Sequence, residues 1–99
     1  MKIEVANLVD HLNTLKVAHL SRMSNAQLND GEFFAAVEGK KYIKIIEKRG
    51  SVWGFVVKKS DGKFQQGDIL KAASWSTPAK NFARGNVYNS LDHFDCYGA

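Results

Sequence analysis

Two stretches of β-branched and aromatic residues, Tyr42 to Lys48 and Ser51 to Lys58, stand on either side of Arg49-Gly50. Alternation at period two around a dipeptide suited to reversing the chain predicts a tight antiparallel hairpin. Ile43 and Ile45 then share one face, with Tyr42, Lys44, Ile46 and Lys48 on the other. In the second strand Trp53, Phe55 and Val57 alternate with Val52, Gly54 and Val56. Gly54 has no side chain inside an otherwise bulky strand, which leaves room for something to approach the sheet closely there.

The hairpin needs a covering layer, and the residues before it supply one. From Glu4 to about Leu20 the apolar residues Val5, Leu8, Val9, Leu12, Leu15 and Ala18 recur at steps of three and four, the stripe of an amphipathic helix. Ser21 to Ser24 breaks that period and predicts a turn. A second, shorter helix is expected from a cap at Asn29 or Asp30 through Phe33, Phe34 and Val37 to a stop at Gly39.

After the hairpin, Ser60 to Lys63 is a turn by residue type, and Ile69 to Ala72 reads as a third strand. Thr77 and Pro78 suit the cap and first position of a short helix running to Ala83. Val87-Tyr88 suits a short edge strand. Leu91 to Ala99 reads as a weakly ordered tail with Phe94 and Tyr97 as anchors.

The expected fold class is therefore α+β: two N-terminal helices packed on a three-stranded antiparallel sheet, with a short helix after the third strand. One domain covers residues 1–99, divided into a helical part (1–39), the sheet with the segment that follows it (40–89) and the tail (90–99). The first helix covers one face of the sheet and the other stays partly open.

Composition narrows the setting. A chain of 99 residues has room for a single modest core. A lone Cys96 cannot form an internal disulfide, which points to a reducing compartment and a cytoplasmic location. Glu4 and Asp10 interrupt the N-terminal stretch, so it reads as neither a signal peptide nor a membrane span. The net charge of +4 is unevenly spread: residues 39–84 carry eleven Lys/Arg against three Asp/Glu, whereas both flanks are net acidic. A concentrated positive field attracts phosphates or acidic protein surfaces.

Catalytic chemistry finds little support. Ser74, Ser76, Ser90 or Cys96 could pair only with His11, His19 or His93, and no serine sits in a G-x-S-x-G elbow. No glycine-rich phosphate loop occurs. His93 and Cys96 have a spacing seen in zinc sites, but four suitable ligands do not accompany them. The expectation is a non-enzymatic protein without cofactor or metal.

Nucleic-acid binding requires cations for phosphates and flat rings for bases. Lys44, Lys48, Arg49, Lys58, Lys59 and Lys63 fall on the strands and turns, and Tyr42, Trp53, Trp75, Phe82 and Tyr88 are the available rings. The plain alternative is that Trp53 and Phe55 fill the core while the lysines solubilise the hairpin. Lys71 to Asn89 has no hydrophobic period yet holds Trp75, Pro78, Lys80 and Arg84. A helix starting at Pro78 would offer the N–H groups of Ala79 and Lys80 to an anion, and Gly85 would supply a left-handed residue at its end. The candidate binding residues are Lys71, Trp75, Lys80, Arg84, Lys44 and Lys58.

The run Gly67-Asp68-Ile69-Leu70-Lys71-Ala72-Ala73-Ser74-Trp75, followed by Pro78-Ala79-Lys80 and Ala83-Arg84-Gly85-Asn86-Val87, resembles a pattern shared by small, mostly uncharacterised proteins of tailed bacteriophages. The resemblance spans about a quarter of the chain. It implies a phage origin and expression in the host bacterial cytoplasm, and brings no activity with it. Two partner classes follow: nucleic acid, or an acidic host protein such as a CRISPR or other defence complex that the chain would inhibit or modulate. A homo-oligomer is compatible with either.

Overall fold

The computed structural model describes residues 2–21, 33–48 and 50–99. Helix α1 spans Lys2–Ser21 and precedes five strands: β1 Phe34–Glu38, β2 Tyr42–Glu47, β3 Ser51–Val57, β4 Asp68–Lys71 and β5 Gly85–Asn86. Neighbours in the sheet are neighbours in sequence and every pair is antiparallel, so the sheet is a meander.

The β2–β3 hairpin lies where the alternation places it, and Gly50, at φ 111°, closes the turn by donating its N–H to the Glu47 carbonyl at 2.9 Å. Its faces differ from simple alternation. Ile45 pairs with Gly54 and Ile46 with Val52, so Trp53 is the extra residue of a β-bulge. The bulge turns Trp53 to the helix side, where it joins Ile43, Ile45, Val56 and Ile69 beneath Val5, Leu8 and Leu12 of α1. Phe55 and Val57 face the other way and pack with Phe64 and Leu70. Both faces of β3 are therefore buried, which explains five consecutive buried residues from Trp53 to Val57.

α1 is held by polar contacts as well as by its apolar stripe. The Asn13 carboxamide oxygen accepts the N–H groups of Phe33 (2.8 Å) and Phe34 (2.9 Å), fixing the start of β1. Lys16 approaches Glu47 at 3.6 Å, and His11 donates through Nε2 to the Phe94 carbonyl at 3.2 Å.

The expected two helices on a three-stranded sheet are corrected: among the described residues there is one helix on a five-stranded sheet. Phe34–Glu38 is a strand, although Ala35 and Ala36 favour helix, because pairing with β2 and capping by Asn13 outweigh a weak local propensity. The turn after Ser21 and the start of the second helix at Asn29 or Asp30 lie outside the described residues.

The short helix from Pro78 to Ala83 is also replaced. Ala79 donates its N–H to the Lys71 carbonyl and Arg84 to that of Ile69, both at 2.7 Å, and Ala72 bridges to Pro78. Bonds to β4 thus take the place of bonds within a helical turn. Gly85 is correspondingly a strand residue without positive φ; its bare Cα admits the Phe94 ring, which would sit 2.7 Å from a Cβ.

Loops close the second face, since Ala72 and Ala83 pack with Phe64 and Leu70. The tail is packed too. Phe94 and Cys96 are buried, Trp53 Nε1–H donates to the Asp95 carbonyl at 2.9 Å, and Ala99 N–H donates to the Trp53 carbonyl at 3.1 Å. Of the two expected anchors, Phe94 is buried and Tyr97 is exposed. The close approach anticipated at Gly54 is made by Ala99 and by the Leu70 carbonyl, 3.1 and 2.8 Å from where a Cβ would sit.

Because that carbonyl is backbone and cannot rotate away, Gly54→Ala should force β3 and β4 apart. We expect a loss of about 2 kcal/mol in urea unfolding, with faster hydrogen exchange at Phe55 and Ile69. An unchanged midpoint would show that the β3–β4 spacing is not constrained at this residue.

Candidate functional site

β2 presents Tyr42 and Lys44 on the face opposite α1, since Lys44 pairs with Phe55 and Ile43 with Val56. The 72–84 segment crosses this face and sets Trp75 beside it. Lys44 Nζ lies 4.6 Å from the centroid of the indole, a cation–π contact, while the ring remains 53% exposed. Tyr42 stacks edge-on against Phe55 at 5.9 Å. Lys40, Lys41 and Lys44, with Tyr42, Phe55 and Ser76, border an open concavity of about 280 Å³.

The six cations and rings singled out from sequence separate in space. Lys44 and Trp75 are brought into contact. Lys58 is spent on structure: its ammonium donates to Glu38 Oε2 and to the Gly39 carbonyl, both at 2.9 Å. Lys71 pairs with Gly54, and alternation along β4 puts it on the face opposite Leu70, away from Lys44.

Lys80 and Arg84 belong to a second cationic group. The Lys63 ammonium bonds the Lys80 carbonyl, and Arg84 stacks on Phe82 with its guanidinium carbon 4.1 Å from the ring centroid. The Arg84 carbonyl accepts from His93 Nε2 at 3.1 Å, whereas Arg84 Nε is buried without an acceptor among the described residues. The anion site expected at the N–H groups of Ala79 and Lys80 is not formed, because there is no helix there and the Ala79 N–H is bonded to Lys71.

Lys40 and Lys41 were not singled out by sequence reasoning. They sit in the β1–β2 turn, a position hidden while Gly39 is read as the end of a helix. The signal that could have exposed them is the short polar link Gly39-Lys40-Lys41 directly ahead of the alternating Tyr42–Glu47 strand.

His93 and Cys96 do not converge. The Cys96 thiol is buried, and His93 lies against the Phe94 ring at 4.1 Å. Among the described residues no group of three His, Cys, Asp or Glu side chains could hold a metal ion. No described helix is long and apolar enough to cross a membrane.

The hydrogen bond from Lys58, and then its charge, hold the Glu38 carboxyl below the usual carboxylate range. A depressed carboxyl stabilises the fold above its unfolded value, and the contribution disappears as pH falls through the lowered folded value. Wild type should therefore unfold at a higher temperature than Glu38→Gln near neutral pH, with the gap closing in acid. Thermal melts across that range check this, and a gap that persists in strong acid would show that Glu38 acts through packing.

A family model described as a family of unknown function (DUF7717) matches residues 2–98. No curated protein and no solved structure matches the chain.

Proposed function

We propose that this chain, which belongs to DUF7717, a family of unknown function, is a non-enzymatic protein that binds single-stranded nucleic acid across the Lys40–Lys41–Lys44–Trp75 face. The observation that carries the reading is Lys44 held against a half-exposed indole. A phosphate needs a fixed cation and a base needs a flat apolar surface, and here one contact positions both. Lys40 and Lys41 add charge at the rim, and Glu38, the nearby carboxylate, is engaged by Lys58. A duplex keeps its bases stacked inside, so an exposed ring favours a single strand. Arg84, stacked on the half-exposed Phe82, extends the same combination of a cation and a ring.

On the sequence resemblance to tailed-phage proteins, the setting is a phage accessory protein in the host cytoplasm. A second reading, a phage-encoded modulator of a host protein such as a CRISPR or other defence complex, is favoured by one observation. Trp75, Phe82 and Tyr88 are all at least half exposed along one segment that also contains Arg84. Aromatics and arginine are the residues enriched in protein interfaces.

Fluorescence anisotropy with labelled single- and double-stranded oligonucleotides at low salt tests the first reading. Binding should prefer the single strand and weaken steeply with salt. Trp75→Ala should cost about 1–3 kcal/mol, the usual worth of one base stack. Lys44→Ala should lower the salt slope by about one. Absence of binding at low salt, combined with a single stoichiometric partner retained from nuclease-treated host lysate, would overturn it in favour of the modulator.

A further inference from the structure

We infer that two copies of this chain associate through the open edge of β1, joining their sheets into one antiparallel sheet of twice the five strands. The inference rests on backbone geometry and does not depend on nucleic-acid binding.

The register shows which groups are available. At the ends of the β1–β2 ladder, Gly39 N–H donates to the Tyr42 carbonyl and the Phe33 carbonyl accepts from Lys48. The odd-numbered residues of β1 therefore exchange bonds with β2, and Phe34, Ala36 and Glu38 direct theirs outward. Asn13 takes the Phe34 N–H, and among the described residues the Phe34 carbonyl and both backbone groups of Ala36 and Glu38 are left on the edge.

Edge strands normally carry a lysine, a proline or a bulge that blocks pairing. The sequence Phe-Ala-Ala-Val-Glu has none of these, and the register of β1 is regular. Val37 is 48% exposed. The opposite edge, β5, is only two residues long.

A second copy suits this edge by its symmetry. A twofold axis at Ala36 pairs Ala36 with its counterpart and Phe34 with Glu38, so that the two Ala36 residues exchange both bonds and each Phe34 carbonyl accepts the other copy's Glu38 N–H, while the Phe34 N–H stays with Asn13. Glu38 brings no unpaired charge, being held by Lys58.

Beside the edge lies a groove of about 380 Å³ between α1 and the sheet, lined by the apolar Val5, Ala6, Ala36 and Ile43 and by the charged Lys2, Asp10 and Glu38. The twofold keeps both helices on the same face of the joined sheet. Lys2, Ala6 and Asp10 recur at steps of four on α1, and an antiparallel approach about Ala6 sets each Lys2 against the other copy's Asp10. A small residue at the centre flanked by opposite charges is a self-complementary pattern.

Sedimentation equilibrium of nuclease-treated protein over a concentration series tests this. Wild type should approach twice the 11.0 kDa of one chain. Ala36→Pro removes an outward N–H without touching the β1–β2 ladder, and should raise the dissociation constant about tenfold or more. Lys2→Asp should weaken association in the same direction, and adding Asp10→Lys to it should restore it.

A wild-type monomer at every concentration would overturn the inference. So would a dimer that survives both Ala36→Pro and Lys2→Asp. Should Ala36→Pro fail to fold, judged by circular dichroism, the charge-reversal pair decides alone. Loss of association in these variants with oligonucleotide binding still present in the monomer would separate this inference from the proposed function.

Discussion

The bulge at Trp53 determines how the two sides of this protein are built. Without an extra residue opposite Ile45 and Ile46, alternation would put Trp53 and Phe55 on one face. With it, the indole turns under α1 while Phe55 turns toward the loops. The same indole then organises the tail, which it bonds through Nε1–H to Asp95 and through its carbonyl to Ala99, and against which Phe94 packs edge-on at 5.4 Å. Gly54 completes the arrangement, since only a residue without a Cβ lets Ala99 and the Leu70 carbonyl come so near. A bulge costs one ladder position but lets a seven-residue strand bury both of its faces.

Closing the second face with loops rather than a helix has a consequence for the surface. A helix over 78–83 would take up part of its own backbone hydrogen bonding and could turn Phe82 inward. An extended segment must instead bond to β4, as Ala79 and Arg84 do, and the bond positions dictate which side chains face the sheet. Ala72 and Ala83 turn inward to Phe64 and Leu70, and Trp75 and Phe82 stay at the surface. Both of these rings are covered in part by a cation, Lys44 on Trp75 and Arg84 on Phe82. Such contacts recover only part of the free energy of burial, so they account for how the rings are held and not for why they are exposed.

Much of the fold was legible where side-chain chemistry and backbone preference agree. The three- and four-residue spacing of Val5, Leu8 and Leu12 and the alternation around Gly50 both describe residues whose packing is local and regular. Phe34–Glu38 defeated the same reasoning because two alanines favour helix and the decisive contacts come from afar, Asn13 on one side and β2 on the other. Thr77-Pro78 misled for a related reason. The residue types fit a helix start, but the Thr77 carbonyl accepts from Ala73 and Ser74 to make a turn, and the chain then runs along β4. Of the candidate site, Lys44 and Trp75 could be named from sequence as a cation and a ring, but their contact depends on a crossing that no local pattern encodes.

The basic middle of the chain shows why a charge count alone overstates a binding surface. Lys58 carries the same formal charge as Lys44, yet it is bonded to a carboxylate and a carbonyl, so a ligand would have to displace both. The Lys63 ammonium is likewise bonded to a backbone carbonyl. Lys44 is different because its contact is with a ring, which holds the ammonium in place while neutralising none of its charge. A cation fixed in that way loses little side-chain freedom on meeting an anion, whereas a freely rotating lysine gives up entropy to do so. The field of residues 39–84 is thus divided into charges that hold the hairpin together and charges that remain at the surface. The division follows from whether an oxygen is within reach: Lys63 lies 5.4 Å from the Phe64 ring centroid and still bonds the Lys80 carbonyl, whereas Lys44 meets the π-face of Trp75.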